Sequence, residues 1–333
     1  MEKTILITGA AGFFGSHFIE EILTFTEWKI VALCRMSCIG DVNRILDIPH
    51  IQDYKHRIQF VYHDLKFDIP EYLSTKIGKV DYIAHLAANS HVDRSIVYPK
   101  QFFEDNVMGT VNLLDWYRKT NPDAIFINYI TDEVFGPAPI DYDYKEEDRW
   151  RPSNPYSGSK CGQAAAGISY HVTYSLPIIT VYTMNMFGER QNKEKLVSKA
   201  IYNIHNNKPI PIHAKLDSNN QIEYVGERHW LHACNASNAT LFLFRYGKAG
   251  EHYNVVGDLK LQNDEIVNRI GKLMNKKPEL EYVDFHKTRP GHDRRYALDG
   301  SKLKRMGWVP PLSFEDGMSR TISWSLRDFT KNE

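Results

Sequence analysis

Cysteine is scarce. Four residues, Cys34, Cys38, Cys161 and Cys234, serve a chain of 333. So few thiols exclude a disulfide-stapled fold and suit a reducing compartment, so a cytoplasmic protein is expected. Cys34 and Cys38 have no paired cysteine or histidine cluster downstream, which argues against a structural zinc site, and no metal is expected. No apolar run reaches the ~18 residues of a membrane-spanning helix, so no membrane partner is expected. Charge excess is also missing: 41 Lys and Arg balance 41 Asp and Glu. A net charge of zero argues against nucleic acid as a partner while leaving room for a local basic pocket. There are no internal repeats and no low-complexity tract. The opening residues already read as a strand, so no signal peptide is expected.

What the chain does contain is a repeated strand-then-helix pattern. Thr4-Ile5-Leu6-Ile7-Thr8 reads as a buried strand, Gly9-Ala10-Ala11-Gly12-Phe13-Phe14-Gly15 as a glycine turn, and Ser16 to Leu23 as a helix. Such glycines permit a tight turn and let backbone N–H groups approach a pyrophosphate at the helix N-terminus. Further strands are expected at Lys29–Leu33, Phe60–Asp64, Val80–Leu86, Ala124–Ile130 and Pro177–Met184, with long helices at 102–117 and 156–174. Six strands alternating with helices predict an α/β fold, a doubly wound parallel sheet of the Rossmann type. Residues 1–184 form the expected dinucleotide-binding domain, with 229–257 returning to it. Residues 185–228 and 258–333 form a smaller C-terminal α/β substrate lobe. Within that lobe, Lys215 to Glu227 reads as a loop or hairpin insertion.

Candidate cofactor contacts follow the strand ends. The glycine turn (Gly9, Gly12, Phe13, Phe14, Gly15) would hold the pyrophosphate, and Asp64 beside Leu65 would reach the adenine. Leu86-Ala87-Ala88 would let the backbone come close to the cofactor. The second strand ends in Cys34-Arg35, where an acid usually meets a free ribose 2′-hydroxyl. Arg35 there suits a 2′-phosphate or lies against the adenine ring, so NAD and NADP stand level. His91, after the fourth strand, reads first as a loop-orienting histidine and second as an acid.

The most informative stretch runs from Thr131 to Lys160. Thr131-Asp132-Glu133 closes the fifth strand, and Tyr156 precedes Lys160 by four residues. Four residues is about one helical turn, so the pair shares a face. A neighbouring ammonium is expected to lower the phenol's pKa and make it a base for an alcohol that loses hydride.

Taken together, these residues resemble the extended short-chain dehydrogenase/reductases and, within them, the nucleotide-sugar 4,6-dehydratases, the dTDP-glucose branch above all. The anchors are Thr131-Asp132-Glu133, Tyr156 with Lys160, Ser90 to Ser95, Glu194-Lys195-Leu196 and Arg289 to Tyr296. The resemblance implies that Tyr156 deprotonates the 4-hydroxyl, Glu133 removes the proton on carbon 5, and protonated Asp132 donates to the departing 6-hydroxyl. Thr131 would bind the reacting hydroxyl, and Lys160 the ribose. It implies substrate contacts at Ser90, Thr131, Asn185, Lys195, Leu196, Pro211, His213, Arg228, Asn254, Arg289 and His292. The substrate would be a nucleotide-diphosphate sugar, a dTDP- or UDP-hexose first. It also implies a homodimer through helices 100–119 and 156–174. Departures from the pattern are Asn89, Phe135, Asn185-Met186-Phe187-Gly188-Glu189 and His229. They leave the base and sugar open. A 5,6-dehydratase and a 4-epimerase stand as alternative enzymes, and a cofactor-bound regulatory protein as the non-enzymatic alternative.

Overall fold

The computed structural model describes residues 3–35, 40–284 and 295–331. The strands in chain order are β1 (Thr4–Thr8), β2 (Lys29–Cys34), β3 (Ile58–Tyr62), β4 (Tyr82–His85), β5 (Ile125–Thr131), β6 (Ile178–Thr183) and β7 (Asn185–Phe187). They continue with β8 (Ile210–Leu216), β9 (Ile222–Val225), β10 (Glu227–His232), β11 (His252–Val255), β12 (Leu259–Gln262) and β13 (Leu280–Asp284). Seven of them form one parallel sheet of order β11-β6-β5-β4-β1-β2-β3. The order reverses between β4 and β1, which opens a crevice at the carboxyl ends of the strands.

Both faces of this sheet are covered, so its strands are apolar throughout rather than alternating. On β1, Ile5 and Ile7 join the core beneath helices Phe13–Phe25 and Ala233–Tyr246, while Leu6 joins the core beneath Gly109–Thr120. Two three-stranded sheets, β12-β10-β7 and β13-β8-β9, build the second lobe with helices Leu196–His205, Asn263–Leu273 and Phe314–Lys331. Its own core gathers Val197, Ile201, Ile212, Trp230, Ile266 and Met318.

Two details differ from expectation, and a third, the polar stretch 215–227, forms the hairpin that is one of its two expected forms. Within 229–257, expected to return to the dinucleotide-binding domain, β10 pairs with β7 and β12 and not with the large sheet. The edge beside β6 is already taken by β11, whose His252 stands opposite Thr180. The helix expected at 102–117 is three helical segments from Pro99 to Thr120, with a π segment at Glu104–Met108. The polar stretch 215–227 is a hairpin between β8 and β9, closed where Asp217 accepts from the N–H groups of Asn219 and Gln221.

A buried hydrogen-bond chain locks the crevice floor. The His85 ring bonds the hydroxyls of Thr8 (2.7 Å) and Thr110 (2.8 Å). Burial pushes its pKa down to about 3, so it stays neutral. Asn106, inside the π segment, accepts from Asn89 N–H (2.7 Å) and donates to Ser159 Oγ (2.9 Å). It thereby ties the loop after β4 to the helix that carries Tyr156 and Lys160. No helix among the described residues is long and apolar enough to cross a membrane.

Candidate active site

The turn after β1 sets the first wall. Gly9 adopts φ +66°, and a Cβ there would meet the Ala87 backbone at 2.8 Å. A Cβ on Gly15 would lie 2.4 Å from the Gly9 carbonyl oxygen. Glycine at both positions lets the turn, the helix and the loop after β4 converge.

The second wall is the helix Pro155–Tyr174. Its start is over-determined: Pro155 occupies the first turn, and Asn154 and Ser157 form a reciprocal capping box. Asn154 Oδ1 accepts from Ser157 N–H at 2.9 Å, while its Nδ2 donates to Glu133 Oε2 at 3.1 Å. One side chain therefore caps the helix and aims the carboxylate. Asn154 was assigned no role from sequence, although an Asn preceding Pro at a helix start is a readable cap signal.

Thr131, Asp132 and Glu133 lie where β5 passes into a short 3-10 turn (Asp132–Phe135). Thr131 Oγ1 donates to Asp132 Oδ1 at 3.0 Å, and Asp132 Oδ2 has no hydrogen-bond partner among the described residues. Burial, then the charge of Glu133, pushes the Asp132 carboxyl up to about 7; the Thr131 bond and Arg228 oppose this more weakly. Asp132 thus keeps its proton near neutrality, a state suited to a general acid.

Tyr156 and Lys160 are buried in the same cavity. Lys160 Nζ donates to the Tyr129 carbonyl at 2.7 Å and to Gln163 Oε1 at 2.5 Å. Burial lowers its pKa to about 7. The Tyr156 phenol is pushed up by burial first, then by Glu133 and Asp132, against a hydrogen bond with Thr131. The expected lowering of the phenol by Lys160 is therefore outweighed: two carboxyl groups face Tyr156, and the ammonium is directed at Tyr129 and Gln163.

A cavity of about 530 Å³ brings most of the sequence-derived candidates together. Gly9, Gly12, Phe13, Phe14, Gly15, Leu86 and Ala88 line its cofactor side, with Thr131, Asp132, Glu133, Tyr156 and Lys160 at the centre. Ser90, Asn185, Lys195, Leu196, Pro211, His213 and Arg228 line the side toward the second lobe. An adjoining cavity of about 170 Å³ adds Arg35, Asp64, Leu65 and Ala87. The two share Gly9, Gly12, Leu86, Ala88 and Ser90 and so make one cleft along the strand ends. A concave cleft with a glycine turn at a helix N-terminus, a basic far end and two carboxyls between fits a dinucleotide beside a diphosphate compound.

Asn254 departs from expectation. It is fully buried and lines neither cavity; its Nδ2 donates to the carbonyls of Tyr144 (2.9 Å) and Asp299 (3.1 Å). Its place in mid-β11 is tied to the loop that reaches over the sheet edge, so it braces that loop. Arg289 and His292 lie outside the described residues. None of residues 215–227 lines the cleft, so the hairpin stands away from it. His91 lines the cleft with its Nε2 3.6 Å from Glu194 Oε1, as a loop-orienting histidine would. Residues not foreseen include Gln163, Asn154 and Asp105. Tyr296 lies under the Arg228 guanidinium, 4.5 Å from its ring centre, and so holds that arginine in the cleft wall.

Arg35 is occupied. Its Nη1 donates to Asp105 Oδ1 at 2.9 Å and lies 3.7 Å from Asp64 Oδ2.

Comparison with known proteins agrees with this geometry. A sequence profile described as GDP-mannose 4,6 dehydratase matches residues 6–321. The chain is 34% identical over 327 residues to the low-salt glycan biosynthesis protein Agl12 of Haloferax volcanii, covering 97% of this chain and 99% of that one. It is 34% identical over 345 residues to dTDP-glucose 4,6-dehydratase of Salmonella typhimurium, covering 97% and 92%. Among solved structures, DesIV, a dTDP-glucose 4,6-dehydratase from Streptomyces venezuelae with NAD and TYD bound, superposes with a TM-score of 0.88 at 30% identity, covering 98% of both chains.

Proposed function

Because the chain belongs to the GDP-mannose 4,6-dehydratase family of extended short-chain dehydrogenase/reductases, we propose that its cleft converts a nucleotide-diphosphate hexose to the 4-keto-6-deoxy sugar. The enzyme class is nucleotide-sugar dehydratase dependent on a nicotinamide dinucleotide. The finer assignment is a dTDP- or UDP-hexose as substrate and NAD as cofactor. The single observation that carries the chemistry is the adjacent carboxyl pair. Asp132 holds its proton to about pH 7, while Glu133 is aimed by Asn154.

When bound, the dinucleotide supplies an acceptor that takes hydride from carbon 4 and later returns it to carbon 6. Burial and then the carboxyl charges hold the Tyr156 phenol up; the positive nicotinamide ring of a bound dinucleotide would offset those charges, and the phenolate so favoured takes the proton of the 4-hydroxyl. The ketone so formed acidifies carbon 5; Glu133 removes its proton and gives one back to carbon 5 when hydride reaches carbon 6. Asp132 protonates the departing 6-hydroxyl, leaving as water. Two neighbouring carboxyls in different proton states suit this elimination. Lys160, fixed by Tyr129 and Gln163, would hold the ribose of a bound dinucleotide. Lys195 and Arg228, on the far side of the cleft, suit the diphosphate. NAD over NADP is supported by the occupied Arg35 and by NAD in the DesIV structure.

A homodimer is part of the same proposal. Phe103 and Met108 on the helical run 99–120, and Val172 and Tyr174 at the end of the Tyr156 helix, are exposed apolar side chains in the single chain. Sedimentation should give twice the chain mass.

Product analysis tests the function. With dTDP-glucose and UDP-glucose supplied separately, loss of one water with a new methyl doublet in the NMR spectrum is expected. Loss of water with an exocyclic alkene would redirect the hydride and make the enzyme a 5,6-dehydratase. An unchanged mass with an inverted carbon 4 would overturn the dehydratase reading.

A further inference from the structure

The acid that a free adenosine ribose usually meets at the end of the second strand is absent here. β2 ends in Cys34, whose thiol is buried and pushed up to about 11 by that burial, followed by Arg35. Yet the smaller cavity beside this strand end does contain a carboxylate close to Arg35, and it comes from a different element. Asp105 sits in the π segment Glu104–Met108, 70 residues further along the chain. An extra residue in a helical turn rotates the side chains that follow and often marks a functional position. Its neighbour Asn106 secures the segment to the loop after β4.

Asp105 is held on both oxygens. Oδ1 accepts from Arg35 Nη1 at 2.9 Å, and Oδ2 accepts from Asn89 Nδ2 at 3.2 Å. Its side chain is only 5% exposed, yet it lines the cavity together with Leu33, Cys34, Arg35 and Asp64. Asn89, a departure from the family pattern, thus orients Asp105. Arg35 is flanked by a second carboxylate, Asp64, at 3.7 Å. A guanidinium bonded to Asp105, with Asp64 shared between it and Lys66 at 3.7 Å from each, is already paired. A 2′-phosphate arriving there would have to compete with Asp105 and Asp64 for Arg35 while lying next to both negative charges, whereas a 2′-hydroxyl would meet a ready acceptor.

We propose that Asp105 is the specificity-determining residue of the cofactor site. It supplies from the π segment the acid that β2 lacks, and by holding Arg35 it selects an unphosphorylated ribose over a 2′-phosphorylated one. This rests on the reading of the cleft as a nicotinamide dinucleotide site.

The test is calorimetric titration of the full chain, stripped of retained cofactor, with NAD and with NADP. Wild-type protein should bind NAD at least about tenfold more tightly than NADP, and Asp105→Asn should shrink that preference about tenfold or more, since a freed guanidinium can bond the phosphate. Asp105→Ser, which keeps an oxygen acceptor for Asn89, should do the same, and circular dichroism checks that both variants fold. Adding Arg35→Ala to Asp105→Asn should abolish the gain in NADP binding. An unchanged preference in both Asp105 variants, or a double variant that keeps the gain, would overturn the assignment. A wild-type protein that prefers NADP would overturn it too. Wild-type protein that binds neither dinucleotide would overturn the cofactor reading of the cleft along with it.

Discussion

Replacing Asp132 by asparagine should inactivate the enzyme and stabilise it at alkaline pH. The carboxyl is almost fully buried, and burial together with the Glu133 charge raises its pKa from 3.8 to about 7. In the unfolded chain the group titrates near its ordinary value. Between about pH 4 and pH 7 the folded state therefore holds a proton that the unfolded state has lost, and stability falls as pH rises through this window. The stabilisation is fully present below about pH 4 and gone above about pH 7. Its upper limit is about 4 kcal/mol, from ~1.36 kcal/mol for each tenfold change in proton affinity. Asparagine keeps the shape, still accepts from Thr131 and never ionises. The variant should thus gain about 2–4 kcal/mol over wild type at pH 8 and about a third of that at pH 5. Differential scanning calorimetry at the two pH values, with NAD saturating in both proteins, reads this as a difference in Tm of several degrees at pH 8 that shrinks to about a third at pH 5. In the same variant kcat should fall about 10²- to 10⁴-fold, because the 6-hydroxyl loses its proton donor. Equal Tm differences at pH 5 and pH 8, or a variant less stable than wild type at pH 8, would refute the view of Asp132 as a buried carboxyl kept neutral.

Glu133→Gln should still allow oxidation at carbon 4 but not removal of the carbon 5 proton; reduced cofactor should accumulate in a single turnover in deuterated water, with no deuterium entering the sugar. Gly15→Ala places a methyl group 2.4 Å from the Gly9 carbonyl oxygen, so it should cost about 1–3 kcal/mol in urea unfolding and release cofactor during purification. Glu189→Gln breaks a buried network at the junction of the lobes, where the carboxylate lies 3.2 Å from His232 Nε2 and 2.9 Å from Arg320 Nη2. Burial works to raise the Glu189 pKa, but His232, His17 and Arg320 outweigh it and hold the group well below its ordinary range. Removing that charge should cost about 3–5 kcal/mol in denaturant unfolding while NAD still binds.

The apolar run of β1, the glycine turn and the four-residue spacing from Tyr156 to Lys160 were legible because each is a local pattern with a local physical cause. Strand burial on two faces demands an uninterrupted apolar run, close backbone approach demands glycine, and one helical turn brings i and i+4 together. The Thr131-Asp132-Glu133 tripeptide was legible for the same reason, since three polar groups tolerate only the exposed end of a buried strand. The fate of the Tyr156 proton was not legible. It depends on which charges stand nearest in space, and Lys160 turned to Tyr129 and Gln163 while Glu133 and Asp132 faced the phenol. Asn254 was expected in the substrate site and braces a loop instead, because mid-strand burial in β11 leaves its amide only the carbonyls of Tyr144 and Asp299.

By itself, then, the sequence determined the doubly wound parallel class of the large sheet, the place of its cofactor turn and the chemical types at its reacting centre. All three follow from periodicity and from conformations that short segments impose on themselves. Only the tertiary structure decided how charges pair. Arg35 meets Asp105 across 70 residues, Asn154 turns from its cap to Glu133, and β10 leaves the large sheet for a smaller one. These contacts are set by packing between elements distant in the chain, and electrostatic energies depend on distance and burial, which no local pattern encodes.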